Sequence, residues 1–175
     1  FPISIDFDAH VQMAAGTAVL HRSLKWEHDL GGRPEFLGIG IERIDYTKGI
    51  PERLAGIDRF LETHPEFRNR FVFVQIGVPS RTDIPAYRDL VDRVRSQVDA
   101  INAKWQTEDW QPIRLFTQQF DQPSLIGLHQ LADFCIVSSL HDGMNLVAKE
   151  FVASRNDDDG CLLLSDFTGA ARELR

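Results

Sequence analysis

Short apolar runs recur along the chain at residues 36–41, 71–76, 113–116, 134–137 and 161–164. Each is rich in Phe, Ile, Val or Leu and nearly unbroken by polar residues. That pattern predicts strands buried on both faces of a parallel sheet. The segments between the runs have helical periodicity. Residues 51–62 carry Leu54, Ile57 and Leu61 on one face, with Pro51 at the first helical position. Residues 84–105 place Ile84, Tyr87, Leu90, Val91, Val94, Val98, Ile101 and Trp105 three, four and seven apart. Residues 123–132 carry Leu125, Leu128 and Leu131, and residues 144–154 carry Met144, Val147, Ala148 and Phe151. Strand and helix therefore alternate. With right-handed crossovers, the predicted fold class is α/β, a doubly wound Rossmann-like parallel sheet with helices on both faces. Residues 8–28 read as one weakly amphipathic helix, followed by Gly31-Gly32-Arg33-Pro34. Residues 1–35 are expected to be a lead-in segment after an interdomain linker, and residues 36–175 the domain proper. A last helix is predicted over residues 168–175.

Composition adds limits. The chain has 175 residues, with 19 Lys and Arg against 26 Asp and Glu, a formal charge of −7. One compact domain is expected at this length, since ~150 residues per domain is usual. A chain this long buries roughly 70% of its unfolded surface without disulfide staples. The acidic balance argues against wrapping nucleic acid or an anionic membrane, but not against a local basic pocket. No apolar run approaches the ~18 residues of a membrane-spanning helix. No signal-peptide pattern is seen, and a cytoplasmic protein is expected. Cys135 and Cys161 sit in apolar runs without metal-ligand spacing, which predicts two buried thiols in a reducing compartment. The chain starts without Met inside an apolar stretch, Phe1-Pro2-Ile3-Ser4-Ile5, and stops at Arg175 within the last predicted helix. A piece of a longer protein is the expectation.

In a doubly wound sheet, ligands sit at the carboxyl ends of the strands. After the first run come Arg43 and Lys48, two cations before a helix start. They suit a diphosphate, because helix N-terminal amides add to their charge; two solvated surface cations is the alternative. The P-loop pattern is absent. Asp45 is expected to cap or brace that turn. After the second run comes Arg81, with a phosphate or carboxylate ligand, or an ion pair with Asp83, as its partner. After the third come Gln118, Gln119 and Phe120, which suit a base edge, although Phe120 also reads as core. After the fourth come His141, Asp142, Gly143, Met144, Asn145, Leu146, Val147 and Glu150. The amides of residues 144–146 would face an anion. Asp142 reads as a sugar contact or as a helix cap. Glu150 lies about two helical turns further on. His141 reads as an acid–base group or as an ordinary loop residue.

The stretches Glu42-Arg43-Ile44-Asp45-Tyr46-Thr47-Lys48-Gly49 and Asp142-Gly143-Met144-Asn145-Leu146-Val147-Ala148-Lys149-Glu150 resemble the trehalose-6-phosphate synthase family of retaining glycosyltransferases. Pro79-Ser80-Arg81, Ile101-Asn102, Trp110-Gln111-Pro112-Ile113 and Ser165-Asp166-Phe167-Thr168-Gly169-Ala170-Ala171 support the match, in family order. The resemblance implies the C-terminal, donor-binding half of a two-domain glycosyltransferase B-type fold, truncated at its C-terminus. It implies transfer of glucose from UDP-glucose to glucose 6-phosphate with retention, and no cofactor or metal. Arg43, Lys48 and Asp142 would be catalytic. Arg43 and Lys48 would hold the diphosphate, and Arg81 the acceptor phosphate. Asp142, Gly143, Met144 and Asn145 would hold the glucose. The amides of Leu146 and Val147 would meet phosphate, Glu150 the ribose, and the backbone of Ile76 and Phe120 the uracil.

The pattern has departures. His141 stands where the family usually has arginine, and Ser4 where it often has glycine. Rival readings are a relative using another acceptor, such as a glucosylglycerol-phosphate synthase or a pseudo-sugar transferase, and a non-catalytic module that binds a phosphometabolite. The isolated chain is expected to be inactive without its acceptor domain. Nucleic acid and membrane are not expected partners. A homo-oligomeric full-length protein is left as an alternative.

Overall fold

The computed structural model describes residues 3–157 and 159–174. Phe1 and Pro2 of the apolar start, Asp158 of the acidic turn and Arg175 of the last predicted helix lie outside the described residues. The strands are β1 (Phe36–Ile44), β2 (Phe71–Pro79), β3 (Ile113–Phe116), β4 (Phe134–Val137) and β5 (Cys161–Leu164). The helices are α1 (Phe7–Ala14), α2 (Thr17–Asp29), α3 (Ile50–Thr63), α4 (Pro85–Trp105), α5 (Gln122–Leu131) and α6 (Leu146–Ser154). All strand pairs are parallel, in the order β3-β2-β1-β4-β5. This is the doubly wound sheet the apolar runs predict.

The core lies where the runs place it. Ile39, Phe73, Val74, Ile76, Ile113, Cys135 and Val137 from the sheet are buried against Leu54, Leu61, Val94 and Leu128 from the helices. Each large aliphatic or aromatic side chain there contributes about 1.5–3 kcal/mol by leaving water. β1 and β2 pair over nine positions, from Phe36 opposite Phe71 to Ile44 opposite Pro79. Both strands extend three residues past their apolar runs. The strand ladder holds Glu42 and Arg43 as well, because a neighbouring strand supplies backbone partners whatever the side chain.

Several expectations need correction. The single helix over residues 8–28 is two helices, broken at Ala15 and Gly16. Gly16 has ψ 150° and stands before the first turn of α2, and glycine resists helix least when it is placed outside one. The break lets the two helices dock on different neighbours: α1 reaches α6 through His10, while Trp26 of α2 donates its indole N–H to the Ser124 carbonyl at 2.8 Å. Within the described residues, the helix predicted over 168–175 is only a 3₁₀ turn, Gly169–Arg172. Cys135 is fully buried, and burial pushes its thiol up to about 12. Cys161 is instead exposed, because β5 is the outer strand of the sheet. Among the described residues, no helix is long and apolar enough to cross a membrane.

The strand order reverses between β1 and β4, β1 winding toward β2 and β3 and β4 toward β5. Such a reversal opens a crevice beyond the carboxyl ends of the two strands. The segments that follow β1 and β4, residues 45–49 and 138–145, meet there.

Candidate active site at the sheet reversal

The two segments are tied through Thr47. Its carbonyl accepts the N–H groups of Leu140 at 2.7 Å and His141 at 3.3 Å. Asp45 braces the first segment, as expected. Its carboxylate accepts the Thr47 N–H at 2.9 Å, the Thr47 hydroxyl at 2.7 Å and the Tyr87 hydroxyl at 3.2 Å. Burial opposes ionisation of Asp45, but these donors and the nearby Lys48 charge outweigh it, and the carboxyl lies below its ordinary value.

Lys48 and Asp142, 94 residues apart, form an ion pair at 2.6 Å with side chains only 15% and 13% exposed. Asp142 also accepts the Asn145 side-chain N–H at 3.1 Å and the Met144 N–H at 3.3 Å. Burial pushes its carboxyl upward, yet Lys48, Asn145 and the Met144 amide together hold it below the ordinary value. Asp142 is therefore a carboxylate, at the mouth of α6.

Asp142 does not cap that helix. Asn145 does, with φ 67° and its side-chain oxygen accepting the Ala148 N–H at 3.0 Å. The helix begins at Leu146, two residues later than the apolar periodicity suggested. The amide of Met144 is thus engaged by Asp142, and the first-turn amides of Leu146 and Val147 are the ones left facing the crevice mouth. Asparagine tolerates the left-handed backbone that this entry requires, which an aspartate-first reading of the spacing missed.

A third segment, after β5, buttresses the second. The Asp142 N–H donates to the Phe167 carbonyl at 3.1 Å; the Asp142 and Met144 carbonyls accept from Gly169 at 3.0 Å and Ala170 at 2.8 Å. This support role for Phe167, Gly169 and Ala170 was not read from their pattern. Nothing in local spacing reports a contact between two loops of a sheet.

The remaining candidates are distributed around this centre. Arg43 is the penultimate residue of β1 and exposed; among the described residues its side chain has no ion-pair or hydrogen-bond partner. Arg81 has φ 51° and donates to the Tyr87 hydroxyl at 2.9 Å. No Arg81–Asp83 ion pair occurs among the described residues. Tyr87 passes the contact on to Asp45, so Arg81 is coupled to the Lys48 segment. Glu150 lies one turn inside α6 and is half-buried; burial raises its carboxyl, and the nearby His10 only partly offsets this. No hydrogen bond joins it to Lys48, Asp142 or Arg43. Ile76 is interior to β2, and its carbonyl already accepts from the Gln75 side chain at 3.2 Å. Phe120 is half-buried; its ring packs on Trp26 at 5.0 Å and Phe116 at 5.9 Å at the edge of the core and faces the same cavity as Gln118 and Gln119. Gln118 and Gln119 line a cavity of about 280 Å³ with Arg22, Lys25 and Trp26. His141 and Gly143 are exposed loop residues. Among the described residues, no group of three or more His, Cys, Asp or Glu side chains could hold a metal ion.

The sequence profile of glycosyltransferase family 20 matches residues 1–175. The chain belongs to this family. Over 174 residues it is 42% identical to the bifunctional trehalose-6-phosphate synthase/phosphatase of Thermoproteus tenax, covering 99% of this chain and 24% of that protein. It is 38% identical to the 56 kDa subunit of the UDP-forming α,α-trehalose-phosphate synthase of Saccharomyces cerevisiae, again over 99% of this chain and 35% of that one. It superposes with a TM-score of 0.92 on the UDP-forming synthase of Burkholderia vietnamiensis, at 34% identity, covering 99% of this chain and 39% of that one. The score is 0.91 on an E. coli trehalose-6-phosphate structure bound with UDP-2-fluoro glucose, at 34% identity over 99% of this chain and 38% of that one. This family 20 chain therefore spans between a quarter and two-fifths of the length of these relatives.

Proposed function

We propose that the chain is the donor-binding domain of a cytoplasmic UDP-forming trehalose-6-phosphate synthase, which transfers glucose from UDP-glucose to glucose 6-phosphate with retention. The observation that carries this reading is the meeting of Lys48 and Asp142 at the sheet reversal, beside the N-terminus of α6. A cation, a helix start and a carboxylate suit the two ends of a nucleotide sugar. The names of the family 20 relatives support the same substrates.

In the reaction, the bond between the anomeric carbon and the diphosphate oxygen breaks, and negative charge gathers on the departing diphosphate. Arg43, Lys48 and the amides of Leu146 and Val147 would stabilise that charge, with Lys48 already held by its ion pair. Asp142 would accept hydrogen bonds from glucose hydroxyls, and Glu150 from the ribose. The backbone near Ile76 and Phe120 would meet the uracil, and Arg81 the acceptor phosphate. The acceptor oxygen attacks on the face that the diphosphate leaves, and its proton passes to the departing phosphate oxygen. The chemistry needs no protein nucleophile and no metal. The test is product analysis of the full-length protein with UDP-, GDP- and ADP-glucose against glucose 6-phosphate and glycerol 3-phosphate. Trehalose 6-phosphate formed from UDP-glucose is the expected result; glucosyl transfer only to glycerol 3-phosphate, or no transfer, overturns the reading. The 175-residue chain alone should show no transfer, because it spans no more than 39% of the length of the relatives it matches.

A further inference from the structure

Beneath the crevice floor lies a buried polar cluster with no part in the steps above. Arg53 of α3 and Glu42 of β1 form an ion pair with side chains 1% and 5% exposed. Two nitrogens of the guanidinium meet both carboxylate oxygens, at 2.7 and 3.1 Å. One also donates to the Gln75 side-chain oxygen at 2.9 Å, and Gln75 donates in turn to Glu42 at 2.7 Å and to the Gly40 carbonyl at 3.2 Å. Gly40 makes the space: a Cβ there would meet the guanidinium at 2.0 Å. A buried charge pair is a costly way to fill a core, since packed apolar residues of equal volume often serve stability as well. Its third arm suggests why it is here. The Arg53 Nε–H donates to the Ser138 hydroxyl at 3.0 Å. That hydroxyl, with its own proton, donates to the Gly49 carbonyl at 3.1 Å, with the Lys48 carbonyl at 3.3 Å as a second acceptor. Gly49 has φ 66°, and a Cβ on it would meet the Ser138 carbonyl at 2.3 Å. The Lys48-Gly49 backbone is therefore pressed against the end of β4 and hydrogen-bonded to it at the same point.

We infer that Arg53 and Ser138 are positioning residues for the donor diphosphate, acting by locking the backbone of Lys48 and Gly49 to β4. The role rests on the donor-site reading given above. Glu42 and Gln75 hold the guanidinium in one plane, so that its Nε–H has a single direction. Ser138 converts that direction into a fixed position of the Lys48 carbonyl and hence of its side chain. Lys48 then presents its charge from a prepaid geometry rather than from a mobile loop, which strengthens donor binding and stabilises the leaving group.

Arg53→Ala is a poor probe, because it leaves Glu42 buried without a counter-charge and threatens folding. Ser138→Ala in the full-length protein removes only the link. Ser138→Thr keeps the hydroxyl, and the side chain borders an open groove beside Phe134 that can take a methyl group. Calorimetric titration with UDP and steady-state kinetics would be run on the wild type and both variants. The expected result is UDP binding about tenfold weaker in Ser138→Ala, because the Lys48 segment must then be ordered when UDP binds. The KM for glucose 6-phosphate should be unchanged, and Ser138→Thr should restore UDP binding. Wild-type UDP affinity and kcat in Ser138→Ala overturn the inference, as does a loss of thermal stability with unaltered UDP binding by the folded protein. A wild type that binds no UDP overturns the donor-site reading itself, and the positioning role falls with it.

Discussion

The Lys48 ammonium stands 2.6 Å from the Asp142 carboxylate, bridging the ends of β1 and β4. The two groups proposed for opposite ends of the donor, diphosphate and sugar, thus neutralise each other across the crevice. Substitutions on the two sides should therefore act differently. Lys48→Ala in the full-length protein should weaken UDP binding by about tenfold or more, because a charge-assisted contact to phosphate is lost. Asp142→Asn should leave UDP binding unchanged or tighter, because Lys48 is released from its partner, while kcat with UDP-glucose falls by about 10²-fold. Titration with UDP beside initial-rate kinetics separates the two, and a parallel loss of UDP affinity in both variants would refute the division.

Tyr87 joins Arg81 to Asp45, accepting at 2.9 Å and donating at 3.2 Å. Tyr87→Phe removes both contacts without changing ring packing. The expected outcome is a severalfold rise in the KM for glucose 6-phosphate and about 1 kcal/mol of lost stability. Steady-state kinetics and denaturant titration measure the two.

His129 is buried at the junction of α1, α5 and α6. Its Nδ1 shares the Ser154 hydroxyl with His10, at 3.0 and 2.9 Å, and that hydroxyl gives its proton to the Glu150 carbonyl. Ser154 can then only accept from the rings, so the Nδ1 of His129 carries the hydrogen. Its Nε2 is left without a partner in the interior. Burial, reinforced by the charges of His10 and Arg155, lowers the ring to about 3 from 6.5. The lowered value means that the unfolded chain takes up a proton before the folded one does. Stability is present above pH 6.5 and is lost as the pH falls toward 3, by about 1.4 kcal/mol per pH unit in that window. His129→Asn should flatten this slope between pH 6.5 and 4 in denaturant titrations.

Glu150 has the opposite sign. Its carboxyl is raised by burial, so ionising it at neutral pH opposes folding. Glu150→Gln should raise the melting temperature at pH 7 and weaken UDP binding at the same time, if the ribose contact is right. A variant that gains stability and binds UDP normally would remove Glu150 from the donor site.

Cys161 and Cys135 should differ in thiol labelling of this chain. Cys161 is exposed on the outer strand, whereas Cys135 is sealed in β4 with its thiol pushed up to about 12. One thiol should react under native conditions and the second only on unfolding, as mass spectrometry would count.

How much of this was legible in the chain differs from residue to residue. The five apolar runs located each of the strands β1 to β5 among the described residues, because a strand buried on both faces must be apolar throughout. The places of Lys48 and Asp142 after strands marked each as a candidate contact, and the family resemblance implied one ligand for both, but neither marked them as partners of each other. Asn145 was placed inside the predicted helix rather than at its cap, because a left-handed entry to a helix leaves no mark in apolar periodicity. The break at Gly16 was read through, because a single glycine in a weakly amphipathic segment does not show which neighbour each half will find. Glu42 and Arg53 carried no signal of their pairing: charged residues at a strand end and on a helix ordinarily face water.

By itself, then, the sequence determined the alternation of elements, the sheet they form and the strand ends where chemistry would gather, since hydrophobic period and turn residues act locally. The tertiary structure decided which of those ends meet. The order β3-β2-β1-β4-β5 sets β1 beside β4 and so sets Lys48 against Asp142. It also lets Arg53 fill the space above Gly40 and reach Ser138. Those contacts join residues 94 and 85 positions apart. Their energies depend on burial and on the distance between charges, quantities that exist only once the chain has folded.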